Sequence, residues 1–120
     1  MARPRAFDEN EVLLRSKQLF AAQGYNGTSI DDLVKATGLL RGSLYKAFGS
    51  KRNLFEKLFS QLVEKFDPTS ENLDLLTVAL KDLAPTDSQI RAHCRQIVDS
   101  NASNFAALLG QNLLSKMMEK

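Results

Sequence analysis

The chain has 120 residues, of which 43% are apolar and 25% charged, with one Cys and one His. That is the balance of a globular domain large enough to fold without a disulfide or a metal, and a lone Cys and a lone His exclude a disulfide framework and the usual four-ligand zinc site. The longest unbroken apolar run, Phe105-Ala-Ala-Leu-Leu109, falls far short of the ~20 residues that span a bilayer. Acidic Asp8, Glu9 and Glu11 follow Arg3 and Arg5 where a signal peptide needs an apolar stretch, so a cytoplasmic protein with no membrane partner is expected.

The net charge of +2 is unevenly spread. Residues 1–60 hold ten Lys/Arg against six Asp/Glu, and residues 61–120 hold six against eight. A basic front suits an anionic partner, nucleic acid being the commonest, although a solvated basic face gives the same imbalance.

Helical periodicity dominates, and no alternating β-branched run is long enough for a strand. The first helix is expected from about Asp8 to Gln23, with Val12, Leu13, Ser16, Leu19, Phe20 and Gln23 along one face and Gly24 as its stop. Thr28, with Asp31 three residues on, is expected to cap a second helix that buries Ile30, Leu33, Val34 and Thr37 and ends at Gly38. After Leu39-Leu40-Arg41, a short third helix carries Gly42 to Phe48, with Leu44 and Phe48 inward. Two short helices around a Gly-containing turn have helix-turn-helix geometry, a pattern that a buried helical corner also produces.

Ser50 caps a fourth helix from about Lys51 to Phe66, whose wide stripe of Leu54, Phe55, Leu58, Phe59, Leu62, Val63 and Phe66 can touch neighbours on two sides. A fifth is expected over Ser70 to Leu83, with Leu73, Leu76, Leu80 and Leu83 on its inner face. Thr86 and Gln89 are spaced as a capping box for a sixth, which buries Ile90, Cys94, Ile97 and Val98. The polar run Asp99 to Asn104 predicts a break, and a last helix follows from Phe105 to about Glu119. Cys94 reads as a core thiol, His93 as a flank residue, and Asp31 and Asp32 as acids that suit the positive end of the second helix.

Between Phe20 and Phe59 the residues carry more than periodicity. Phe20-Ala-Ala-Gln-Gly-Tyr25, Thr28-Ser-Ile-Asp-Asp-Leu33, Lys35-Ala-Thr-Gly-Leu39, Arg41-Gly-Ser-Leu-Tyr-Lys-Ala-Phe48, Ser50-Lys51 and Leu54-Phe55 follow one another in a fixed order and spacing. This pattern resembles the DNA-binding domain of TetR/AcrR-family transcriptional regulators, over residues 8 to about 60. The resemblance implies an all-α fold: a three-helix head whose third helix enters the major groove, then a short helical C-terminal part, six or seven helices in total. It implies a DNA-binding domain over 8–66, with the helix-turn-helix at about 31–50, and a dimerisation or regulatory part over 67–120. It also implies roles for single residues. Thr28 would contact a phosphate; Arg41, Gly42 and Ser43 would face bases or backbone; Tyr45 and Lys51 would clamp phosphates; and Lys46 would lie on the exposed face of the reading helix. The chemistry agrees, since Arg can bond guanine O6 and N7 together, Gly42 permits close approach, and a helix N-terminus such as that at Lys51 favours phosphate.

This chain departs from the family pattern in three places. Leu40 stands where Ser or Thr usually caps the reading helix, a loss of about 1 kcal/mol, and is expected to pack against the first helix or Leu39, the alternative being a half-exposed side chain near DNA that touches a thymine methyl. Arg52 replaces an acid, so it either adds a phosphate contact or lies in solvent. The remainder after the head is short, with too few helices for one protomer to enclose a drug-sized pocket. Its surplus apolar residues, Phe105, Leu109, Leu113 and Met117, are therefore expected at a dimer interface. The reading as a whole is a DNA-binding regulator, expected to be a repressor that binds a palindrome on double-stranded DNA as a homodimer, with no catalytic residues, metal or cofactor and any small-molecule effector unknown. The alternatives are a truncated interaction module that pairs with a full-length regulator and a sensor whose pocket lies between subunits.

Overall fold

The computed structural model describes residues 7–101 and 103–118. Arg3, Arg5 and Glu119, on which the leader reading and the last helix end depend, lie outside them. Every regular element among the described residues is helical, and no described helix is long and apolar enough to cross a membrane. In chain order these are α1 (Glu9–Gln23), α2 (Ile30–Thr37), α3 (Arg41–Phe48), α4 (Lys51–Glu64), α5 (Ser70–Val78), a π-helical turn (Ala79–Leu83), α6 (Ser88–Asp99) and α7 (Phe105–Met118).

Most boundaries follow from local chemistry. The side chains of Asp8 and Ser50 cap α1 and α4 by accepting backbone N–H groups of Asn10 and Asn53. Gly24 and Gly38 stop α1 and α2 at positive φ, +83° and +78°, which side-chain-bearing residues rarely adopt. The cap of α2 is one residue later than its spacing suggests. Ser29 Oγ accepts the Asp32 N–H at 3.0 Å, and Asp32 Oδ2 accepts the Ser29 N–H at 3.0 Å, closing a capping box that Thr28 and Asp31 do not form. Those Ser29 N–H and O–H partners hold the Asp32 carboxyl below its usual value. Asp87, not Thr86, caps α6, accepting the N–H groups of Gln89 and Ile90 at 2.9 Å each.

The expected fifth helix loses its α register at Ala79. The Ala84 N–H donates to Ala79 O, a five-residue step that packs one extra residue into the turn. The extra residue rotates Leu80 outward, whereas Ala79 and Leu83 stay buried. The expected break before α7 is present, so α6 and α7 are separate helices.

In the core Phe20, Leu33, Leu44, Leu54 and Phe55 of the first four helices join Leu73, Leu76, Ile90, Cys94 and Ile97 behind them. The join runs where α5 packs on α1 and where α6 packs on α4. Phe105, expected at an interface between chains, is instead 3% exposed and packs edge-on against Phe66 at 5.7 Å. As the first residue of α7 it pins that helix to the segment that follows α4.

Cys94 is buried, and desolvation pushes its thiol up to about 11. Because the thiolate is the reactive form, iodoacetamide at about pH 8 is expected to leave Cys94 unmodified in the folded chain and to label it in denaturant, a contrast that mass spectrometry reads directly.

Candidate nucleic-acid interface

The corner between α2 and α3 is built by three consecutive residues with different tasks. Gly38 takes the left-handed turn, its N–H donating to Val34 O at 2.9 Å. Leu39 is buried and anchors the corner to the core. Thr37 closes it, its hydroxyl donating to Leu33 O at 2.7 Å and accepting the Leu39 N–H at 3.2 Å. From there α3 runs with Leu44 buried and Arg41, Gly42, Tyr45 and Lys46 exposed; Ser43 is half-buried. A Cβ built on Gly42 meets no atom within 4 Å, so this glycine leaves open space on the outer surface of the helix.

Leu40 does not pack inward as expected. It is 76% exposed at the start of α3, and its side chain makes no cap. Leu39 already fills the inner position of the three-residue turn, which leaves its neighbour facing out. An exposed leucine beside Arg41 adds an apolar patch to the same surface.

Thr28 cannot serve as a phosphate contact through its side chain. It is 1% exposed, and its hydroxyl donates to Gly24 O at 2.6 Å. Its task is to close the α1–α2 loop. Lys51 grips that loop from the other side. Its ammonium donates to Tyr25 O at 3.0 Å and Thr28 O at 2.9 Å, and it sits 4.1 Å from the centre of the Tyr25 ring. Desolvation lowers the Lys51 pKa, against the opposite pull of the Asp82 charge. An ammonium has three donors, and the two carbonyls take two of them.

Asp82, on the π-helical turn, holds the same loop by its N–H groups. Its Oδ2 accepts from Tyr25 at 2.8 Å and from Asn26 at 3.1 Å. The loop that leads into α2 is thus fixed by α4 through its carbonyls and by the C-terminal part through its amides. Arg52 neither reaches toward α3 nor lies free. It pairs with Glu56 and with Asp87, the cap of α6, and so ties α4 to the C-terminal part.

On the exposed surface of the corner, Arg41 pairs with Asp31 from the first turn of α2. Sequence reasoning gave Asp31 only a helix-end role and passed over Asp82 altogether. Their partners lie ten and more than fifty residues away, beyond any local spacing rule.

A buried-corner α2–α3 pair with a basic, otherwise uncluttered outer helix surface is a helix-turn-helix unit. Residues 12–58 match the family of bacterial regulatory proteins named for tetR. The chain is 38% identical over 64 residues to the HTH-type transcriptional repressor ComR of Escherichia coli (strain K12), a match covering 53% of this chain and 30% of ComR. It is 46% identical over 55 residues to the HTH-type transcriptional regulator YezE of Bacillus subtilis (strain 168), covering 46% and 28% of the two chains. It is 33% identical over 49 residues to the icaADBC negative transcriptional regulator IcaR of Staphylococcus aureus (strain Newman), covering 41% and 26%. The matched stretch spans less than a third of each of these relatives. No solved structure matches the chain.

Proposed function

We propose that the chain is a cytoplasmic, sequence-specific DNA-binding regulator that represses transcription by occupying a palindromic operator as a homodimer. The observation that carries this reading is the surface of α3, where Arg41, Gly42, Tyr45 and Lys46 are exposed on a helix held by buried Leu44 and Leu39. ComR is named a transcriptional repressor and IcaR a negative transcriptional regulator, in line with the sign of regulation proposed here. Residues 8–66 act as the DNA-binding domain and 67–120 as the dimerisation part.

In this reading α3 lies in the major groove. Arg41 bonds a guanine edge, and Ser43 lies beside it near the helix start. Tyr45 and the free donor of Lys51 bond phosphates on either side, and Lys46 adds positive charge along the helix. Phosphate contacts supply affinity and its salt dependence, whereas Arg41 and Ser43 supply sequence choice. Gly42 lets the helix start approach the groove. Gly42→Ala is therefore expected to hold or raise stability, by up to about 1 kcal/mol since alanine is the better helix former, yet to weaken DNA binding. Thermal melts and a DNA titration on the same preparation check both halves.

The second copy is expected against α7. Leu113, Leu114, Met117 and Met118 are all exposed there, more large apolar side chains than any other described helix presents. Leu109 lies half-buried at the margin of this surface. Contiguous apolar surface of this kind marks an interaction site. One observation favours a role for a small ligand as well. A groove of about 660 Å³ runs between the end of α1, α5 with its π turn, and α7, with Leu113 and Lys116 on its α7 side. A second copy on α7 would border that groove, so a sensor pocket would lie at the subunit boundary.

Titration of fluorescent duplex DNA at several salt concentrations tests the DNA reading. Affinity that falls steeply with salt, and Arg41→Ala losing preference at one or two base pairs, are expected. Equal binding of all duplexes by both proteins contradicts sequence-specific reading by α3.

A further inference from the structure

We propose that Leu40 is a specificity-determining residue, which reads the C5-methyl group of a thymine in the major groove. The inference rests on the DNA reading above. Helical register would set Leu40 one turn before buried Leu44, on the inner side of α3. Its backbone is instead extended, with φ −69° and ψ 152°, and Leu39 already fills the inner position, so its side chain stands in solvent. No leucine among the described residues is more exposed. The side chain makes no hydrogen bond at the helix start, where Ser, Thr, Asp or Asn would cap it. Arg41 and Gly42 follow directly, both exposed, and a Cβ on Gly42 would meet open space. The start of α3 thus presents an apolar side chain, a guanidinium and a gap in succession.

The chemistry of the groove selects the partner. The N-terminal residues of a reading helix meet base edges. A leucine side chain forms no hydrogen bond, so over guanine, adenine or cytosine it covers donors and acceptors and leaves them unpaired, at a cost. Thymine is the base that presents an apolar group in the major groove, its methyl. Contact between that methyl and Leu40 withdraws apolar surface from water on both sides. A phosphate offers charge and no apolar surface, so the leucine gains nothing from it. Consecutive Cα atoms are about 3.8 Å apart and successive base pairs about 3.4 Å, so the thymine is expected within about two base pairs of the guanine that Arg41 reads.

The test uses the duplex that the wild-type chain prefers, with each thymine of one half-site replaced in turn by deoxyuridine, which lacks only the methyl. Wild type is expected to bind about fourfold more weakly when one particular thymine is replaced, the value of a single buried carbon group. Leu40→Ser and Leu40→Ala are expected to bind the thymine and deoxyuridine forms of that position alike, and to keep their preference at the base pair that Arg41 reads. Leu40→Ser supplies the missing cap oxygen, so a loosened helix does not explain its result. If no replacement weakens wild type, Leu40 reads no methyl and the proposal is overturned, although the DNA reading stands. If both Leu40 variants lose as much as wild type at the sensitive position, another residue holds that methyl and the proposal is overturned likewise. If the wild type prefers no duplex, the DNA reading and this proposal fall together.

Discussion

Phe55→Ala is expected to cost about 3–5 kcal/mol, the range for emptying a fully buried aromatic site, and to move the urea midpoint far below that of the wild type. Phe55 is fully buried on α4, edge-on to Phe20 at 5.2 Å and to Tyr25 at 5.3 Å, and stacked with Phe59 at 5.9 Å. These rings come from α1, the α1–α2 loop and α4, so one truncation loosens each element that supports the α2–α3 corner. The cost is a large share of the roughly 5–15 kcal/mol that a domain of this kind holds. Urea denaturation followed by circular dichroism reads it. An unfolding free energy within about 1 kcal/mol of wild type would mean that the aromatic cluster is not the centre of the head.

Lys51→Ala is expected to cost about 2–3 kcal/mol, because two half-buried carbonyls lose their donor and each unpaired acceptor carries a desolvation penalty. The sequence pattern points to Lys51 as a phosphate clamp, yet the structure gives its ammonium a prior task in holding Tyr25 O and Thr28 O. The two roles separate experimentally. The structural role lowers the unfolding free energy with or without DNA. The phosphate role reduces the salt dependence of binding by about one counterion and weakens all sequences alike. Both changes are expected together. Loss of stability with an unchanged salt slope would assign Lys51 to the loop alone.

Much of the fold is legible along the chain because its signals are local. Ser50, Gly24, Gly38 and the polar run before Phe105 mark helix ends through caps, left-handed turns and poor helix formers, and the structure places the ends there. The errors also have local causes. Thr28 and Ser29 are adjacent residues, both able to cap, and spacing alone does not choose between them. The π turn hides because its apolar residues fit an α stripe equally well until the extra residue is counted at Ala84. Phe105 and Met117 lie on one amphipathic helix, and periodicity does not say which neighbour covers which of them; the structure puts Phe105 in the core and leaves Met117 exposed.

The surface of the α2–α3 corner divides in the same way. The resemblance singles out Arg41, Gly42, Tyr45 and Lys46, and the structure leaves them exposed. Asp82 and Asp31 are not, because what matters is which distant backbone or arginine each carboxylate meets. Asp82 joins the π turn to the loop entering α2, and Arg52 joins α4 to the cap of α6. The head and the C-terminal part are thus joined through polar contacts as well as through the core.

The most direct test is recovery of genomic DNA fragments by the purified chain at about 150 mM salt, where surface electrostatics are screened to physiological strength. Enrichment of a palindrome with half-sites about 34–36 Å apart, one helical turn, is the result expected of a dimer reading through α3. Recovery of fragments with no shared sequence would contradict it, leaving α7 as a surface for a protein partner instead of a second copy.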